Sequence, residues 1–187
     1  AEMREWVTGT VERILDCKPN RVLEIGCGTG MLLFRVAPHC ETYYGVDLAA
    51  NALGYIEEQM QKLPGSWSHV KLSQGAADEA FAGMEPGEID TVIINSVVQL
   101  FPGIEYLVEV LEQAATLIKP GGTIFIGDVR SLPLLEAFHG SIQLHQAPDS
   151  LTTEQLGRRV HKSIVQEGQM AIEPAFFTSL PQHYPQI

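Results

Sequence analysis

The chain has 187 residues, 45% hydrophobic and 19% charged, with a formal net charge of -11 at pH 7. That length supports one hydrophobic core rather than two, and no apolar run approaches the roughly 20 residues that a membrane span needs, so neither a second domain nor a membrane partner is expected. The negative charge argues against nucleic acid as a partner, because DNA and RNA are bound by Lys and Arg neutralising the phosphates.

Taken in order, Met3, Trp6, Val7, Thr10, Val11, Ile14 and Leu15 recur at helical spacing, and the helix they predict ends before Pro19-Asn20. Val22 to Ile25 then form a short apolar run suited to a buried strand. Gly26, Gly28 and Gly30 break it before Met31-Leu32-Leu33-Phe34 resumes a helix-compatible pattern. Glycines at such a turn permit positive φ and let a ligand approach bare backbone, and a helix starting near Gly30 points unpaired N–H groups at that ligand. The spacing is G-x-G-x-G rather than the G-x-G-x-x-G of nicotinamide and flavin sites, and no phosphate-loop Lys follows. Glu24, just before the turn, repels a pyrophosphate and is suited to a cationic ligand. Cys27 reads as a small residue filling the turn. With Cys17 and Cys40 it shows no paired metal spacing and no even disulfide framework, so no metal is expected, and a reducing cytoplasm is the expected compartment.

Thr42 to Val46 reads as a second strand closed by Asp47, roughly 20 residues beyond the turn, the distance at which an acid meets a ribose. Leu53 to Leu63 is a helix ended by Pro64-Gly65, Trp67 to Leu72 a third strand, and Ser73 to Asp78 a loop. Thr91 to Ile94 is the near-continuous apolar run of a central parallel strand, from whose carboxyl end Asn95 to Pro102 emerges. Ligands of open α/β sheets lie outside that end, which makes Asn95, Ser96 and Gln99 candidate site residues. A helix from Tyr106 to Ile118 stops at Lys119-Pro120-Gly121-Gly122, and Thr123 to Gly127 is a fifth strand that delivers Asp128, Val129 and Arg130 to the same edge. Beyond Arg130 the alternation ends. Leu132 to Leu144, Thr152 to Gln166 and Glu173 to Leu180 read as three helices, with no convincing strand pair before Ile187.

The stretch Val22-Leu23-Glu24-Ile25-Gly26-Cys27-Gly28-Thr29-Gly30 resembles the first motif of class I S-adenosylmethionine-dependent methyltransferases. The resemblance implies a Rossmann-like, doubly wound α/β fold with a parallel sheet in the order 3-2-1-4-5, S-adenosylmethionine as cofactor and S-adenosylhomocysteine as product. It assigns Glu24, Gly26, Cys27, Gly28 and Gly30 to the methionine part of the cofactor, Asp47 with Leu48 to the ribose, Ala76 and Ala77 to the adenine, and Asn95 and Ser96 to the wall beside them. The family's acidic adenine contact aligns with Ala76, so whether that position or Asp78 meets the adenine is open, as is a helix-capping role for Asp78.

Three further stretches, Asn95 to Pro102, Gly127 to His139 and Pro174 to Phe177, resemble the methyltransferase domains embedded in nonribosomal peptide synthetases and hybrid polyketide synthases. This implies one domain, 1–187, with a cofactor-binding core at 1–130 and a helical lid and acceptor segment at 131–187, part of a larger protein and lacking the closing hairpin strands of the sheet. Its partners would be neighbouring synthetase or synthase domains and an aminoacyl, peptidyl or polyketide acceptor carried as a thioester on a carrier protein. Nitrogen is favoured as the methylated atom, with oxygen second. A stand-alone small-molecule methyltransferase and a non-catalytic cofactor-binding module are the alternatives. His139 is the first candidate general base, with Glu136 three residues earlier to orient it and Gln99 as a further catalytic candidate.

Overall fold

The computed structural model describes residues 2–184; Ala1 and residues 185–187, including the end of the expected lid segment, lie outside the described part. Its centre is a parallel sheet of strands β1 (Arg21–Ile25), β2 (Thr42–Asp47), β3 (Val70–Gln74), β4 (Ile89–Asn95) and β5 (Ile118–Gly127), in the order 3-2-1-4-5. Helices α1 (Glu2–Asp16), α2 (Leu33–Val36), α3 (Ala50–Lys62) and α4 (Ile104–Leu117) alternate with the strands, and α5 (Leu135–His145), α6 (Thr153–Val165) and α7 (Pro174–His183) follow. Among the described residues, no helix is long and apolar enough to cross a membrane.

Alternation along each strand divides the core in two. Val22, Tyr43 and Ile93 face Val7 and Ile14 of α1 and Ile56 of α3. Leu23, Ile25, Val46, Val92 and Ile94 face Leu107, Val110 and Leu111 of α4. β4 is buried from end to end, which is why its sequence is a nearly unbroken apolar run. Ile172 and Leu180 of the C-terminal segment enter the core on the α4 side, so that segment is anchored to the sheet.

Three elements differ from the sequence reading. β5 begins at Ile118 rather than Thr123: Ile118 pairs with Ile89, and the ladder shifts register before Thr91 meets Thr123. Gly121, at φ 78, takes a conformation open to glycine, so the Pro-Gly-Gly stretch kinks within the strand instead of ending before it. The helix after the glycine turn has only four residues, Leu33–Val36, and tightens into a 3₁₀ turn at Ala37–His39, where Pro38 stands. The third strand starts at Val70, because Trp67 and Val70 close a turn instead (N–H to carbonyl, 2.9 Å). Among the described residues β5 has no strand on its outer side.

Candidate active site

The three turn glycines have φ of 75, 52 and 80, all in the left-handed region. A Cβ on Gly26 would stand 2.8 Å from a Val97 methyl, whereas one on Gly28 would meet nothing within 4 Å, so Gly28 is where the backbone lies open to a ligand. The N–H groups of Gly26 and Cys27 both go to Val46 O at 2.8 and 3.1 Å, and that of Gly28 to Asp47 Oδ2 at 2.7 Å. The sequence expectation was a helix starting near Gly30 that points unpaired N–H groups at a ligand. With α2 so short and the Gly28 N–H committed to Asp47, the turn instead serves to fix a carboxylate.

That carboxylate is held twice, since Asp47 Oδ1 accepts from Ala49 N at 2.8 Å. Each carboxylate oxygen has two acceptor sites, so each keeps one beyond these bonds. Glu24 is different. It is 3% exposed and, among the described residues, accepts only from the Tyr43 hydroxyl, at 2.7 Å. Burial, opposed by the Tyr43 bond and reinforced by Asp47, raises its pKa from 4.5 to about 8. Cys27 is buried beside it, its thiol pushed well up by burial and then by Glu24 and Asp47, which fits a space-filling role.

Beside the turn opens a cavity of about 490 Å³. Gly26 and Asp47 form its floor, Leu48 and Leu100 its rim, exposed by 70% and 64%, and Val97 and Phe101 its far wall. Ala76, Ala77 and Asp78 close the end away from the glycines. There the Tyr106 hydroxyl donates to Asp78 Oδ1 at 2.6 Å and fixes an acid in the wall, while Ala76 offers only methyl and backbone. Tyr106 escaped the sequence reading because its place in the apolar stripe of α4 explained it fully. The cavity thus holds two carboxylates, Asp47 and Asp78, among mostly apolar neighbours. Glu24, Cys27, Gly28 and Gly30 support the turn without lining this cavity.

The carboxyl ends of β4 and β5 carry a polar cluster. Asn95 Nδ2 donates to Ser96 Oγ at 3.0 Å, Ser96 Oγ to Asp128 Oδ2 at 2.6 Å, and Gln99 Nε2 to Ser96 O at 2.9 Å. The C-terminal segment straps this edge: Met170 N bonds Gln99 O at 2.9 Å, Ile172 N bonds Arg130 O at 2.8 Å, and Leu132 N bonds Ile172 O at 3.0 Å. On the strap, Glu167 Oε2 receives both Arg130 Nη1 and, at 3.1 Å, His139 Nε2, while its Oε1 accepts Gln169 N at 2.9 Å. The Gln169 N–H, then Arg130 and His139, hold the Glu167 carboxyl below its usual range, against the effect of desolvation. Arg130 also lies over the Phe138 ring, 4.7 Å from its centroid.

His139 is thus buried and paired, but not with Glu136 as expected. Glu136, three residues earlier on α5, lines a groove against α6 with His161, while His139 turns toward the strap. The partner it has instead, Glu167, is 28 positions away in sequence, and no local spacing points to it.

A doubly wound parallel sheet of this order, with a glycine turn after β1 and an acid at the end of β2, defines the class I methyltransferase fold. Residues 23–124, more than half of the chain, match the methyltransferase domain family, and the chain belongs to it. Over all 187 residues it is 46% identical to the chondramide synthase of Chondromyces crocatus, and over 190 aligned residues it is 34% identical to the beauvericin nonribosomal cyclodepsipeptide synthetase of Beauveria bassiana. The match covers 100% of this chain in both cases but only 5% and 6% of those proteins, so the chain spans about a twentieth of the curated relatives it matches. Among solved structures, the N-methyltransferase NodS of Bradyrhizobium japonicum WM9 in complex with S-adenosyl-L-homocysteine shares the fold, with a TM-score of 0.67 and 18% identity over 96% of this chain and 73% of that one. The chain is an S-adenosylmethionine-dependent methyltransferase domain.

Proposed function

We propose that the domain methylates the amine nitrogen of an aminoacyl or peptidyl acceptor held as a thioester on a carrier protein, with His139 as general base. The observation that carries this reading is the strap: one short segment bonds Gln99, on the wall beside the cofactor cavity, and presents Glu167 to His139. An ionised carboxylate only accepts hydrogen bonds, so His139 Nε2 carries the proton and Nδ1 keeps its lone pair. Among the described residues nothing bonds Nδ1, and it is not among the buried unpaired atoms, so it is free to take a proton.

When bound, the cofactor supplies an electrophilic methyl on a sulfonium, and the bonding pair stays with sulfur as the methyl leaves. The residues of the chain do the rest. Asp47 fixes the ribose, Asp78 and Tyr106 the far end, and the turn sets the depth of the methionine part, so that acceptor and methyl can align for in-line displacement. An ammonium acceptor has no lone pair until it gives up a proton, and His139 Nδ1 receives it. The large synthetases and synthases among the relatives support an acceptor delivered by a neighbouring domain.

The test is His139→Ala assayed on a carrier-loaded aminoacyl thioester. Cofactor affinity is expected to stay near the parent value while turnover falls about a hundredfold or more. Parent-level turnover in that variant places the base elsewhere.

A further inference from the structure

Glu167 Oε2 accepts two bonds at once, one from Arg130 Nη1 and one from His139 Nε2 at 3.1 Å. Two nitrogens on one oxygen lie within roughly 6 Å of each other, so a permanent cation stands next to the imidazole. Little water reaches the unit to screen it, since the side chains of His139 and Glu167 are 11% and 14% exposed. Phe138 closes it: the Arg130 guanidinium lies over its face, and its plane stands at 75° to the His139 ring, 5.3 Å between centroids. The Arg130 carbonyl is tied down as well, by the Ile172 N–H.

A carboxylate and a histidine by themselves make an ion pair, because the anion favours the imidazolium. A histidine held in that form has no lone pair left with which to take a proton from an acceptor. Glu167 is an ionised partner, its carboxyl held below the usual range first by the Gln169 N–H and then, against desolvation, by Arg130 and His139. Its charge, however, is answered by a guanidinium that keeps its proton, and any positive charge on His139 has to form beside that cation. The other charged groups of the surrounding elements are engaged elsewhere. Asp128, at the end of β5, accepts from Ser96, and Glu136 and His161 line the groove between α5 and α6. Arg158, Arg159 and Lys162 of α6, and Glu173 ahead of α7, are exposed.

We propose that Arg130 is a positioning residue for methyl transfer: by answering the charge of Glu167, it lets that carboxylate fix the His139 tautomer without holding the ring as an imidazolium. This rests on the reading of His139 as general base. In the proton step an N–H bond of the acceptor ammonium breaks, its electron pair stays on nitrogen, and the proton forms a bond to Nδ1. The imidazolium so made stands beside Arg130, whose repulsion favours passing the proton to water and returning the ring to its neutral form for the next turnover.

The experiment compares the parent with Arg130→Met, Arg130→Lys and the double variant Arg130→Met with Glu167→Gln. It has two readouts: the pH profile of kcat/KM on a carrier-bound alanyl thioester, and the side-chain nitrogen NMR signals of His139, which separate a neutral from a charged ring. Arg130→Met is expected to move the acid limb of the profile by about one pH unit to the alkaline side, so that the rate falls about tenfold on that limb and approaches the parent above it. Its nitrogen signals should show a charged ring at a pH where the parent shows a neutral one. Arg130→Lys keeps the charge and should keep the limb in place. The double variant has lost the carboxylate too and should bring the limb back toward the parent position. Should Arg130→Met fail to bind S-adenosylhomocysteine, and so to fold, Arg130→Gln takes its place. A residue that merely supports the fold would lower the rate equally at every pH. Identical nitrogen signals in the parent and the uncharged variant, or a limb that Arg130→Lys moves as far as Arg130→Met, overturns the inference. The base reading fails differently: His139→Ala then turns over at the parent rate, while the nitrogen signals of the Arg130 variants still decide whether Arg130 governs the charge of the ring.

Discussion

Glu24 is the only acid of β1, and its surroundings set a pH dependence that can be worked out in sign. Buried and bonded to the Tyr43 hydroxyl, it titrates at about 8 in the folded chain against 4.5 when free. The native state therefore keeps a proton that the unfolded chain gives up. Stability from this group is fully present below pH 4.5 and is lost as pH rises to about 8, by an amount on the order of a few kcal/mol. Glu24→Gln keeps the shape and removes the titration. Denaturant unfolding at pH 5 and pH 8.5 should show the variant gaining on the parent at the higher pH, and a constant difference between them would mean that Glu24 stays charged. The sequence revealed Glu24 as an acid poised for a cation. It did not reveal that the acid is neutral by default, because the burial that raises its pKa comes from packing between elements distant in sequence.

The strap that carries Glu167 shows what local patterns convey and what they do not. The strands and the glycine turn were legible because each follows from residues close in sequence, apolar runs and alternate glycines, whereas the strand order came from the family resemblance. The Glu167 to His139 pairing and the Asp78 to Tyr106 pairing span 28 positions each, and neither lies within a helical turn or a strand repeat. Glu136 lay at the right local spacing and serves the other face of α5. The strap is held by Ile172, 5% exposed, which fills the core beneath β5 and forms a single parallel bridge with Ser131. Ile172→Ala should cost about 2–5 kcal/mol of stability, the usual range for a buried aliphatic. It should also lower turnover more than cofactor affinity, because loosening the strap releases Glu167 from His139 and leaves Asp47 untouched. Denaturant unfolding checks the first half, and turnover measured beside calorimetry with S-adenosylmethionine checks the second; a parallel loss of turnover and cofactor affinity would show the strap to be part of the cofactor wall.

At the scale of the molecule, what stands out is how little of the surface is arranged to capture a free acceptor. The groove lined by Trp6, Asn95 and Asp128 is open, and α6 carries an amphipathic pattern yet buries no residue. A net charge of -11 gives no long-range attraction to an anionic small molecule. Such a site works well when the acceptor is tethered, since a linker of suitable length raises its local concentration to about the millimolar range without any new contact. Alanine as a free amino acid is therefore expected to be methylated slowly, with a KM in the millimolar range or above, and the carrier-bound alanyl thioester far faster at micromolar concentration. Detaching the thioester from the carrier as a pantetheine derivative should give an intermediate rate, because the acyl arm is kept and the tether lost. Mass spectrometry of all three products separates the possibilities: equal rates on free and carrier-bound alanine would make this a small-molecule methyltransferase whose acceptor affinity resides in the groove itself.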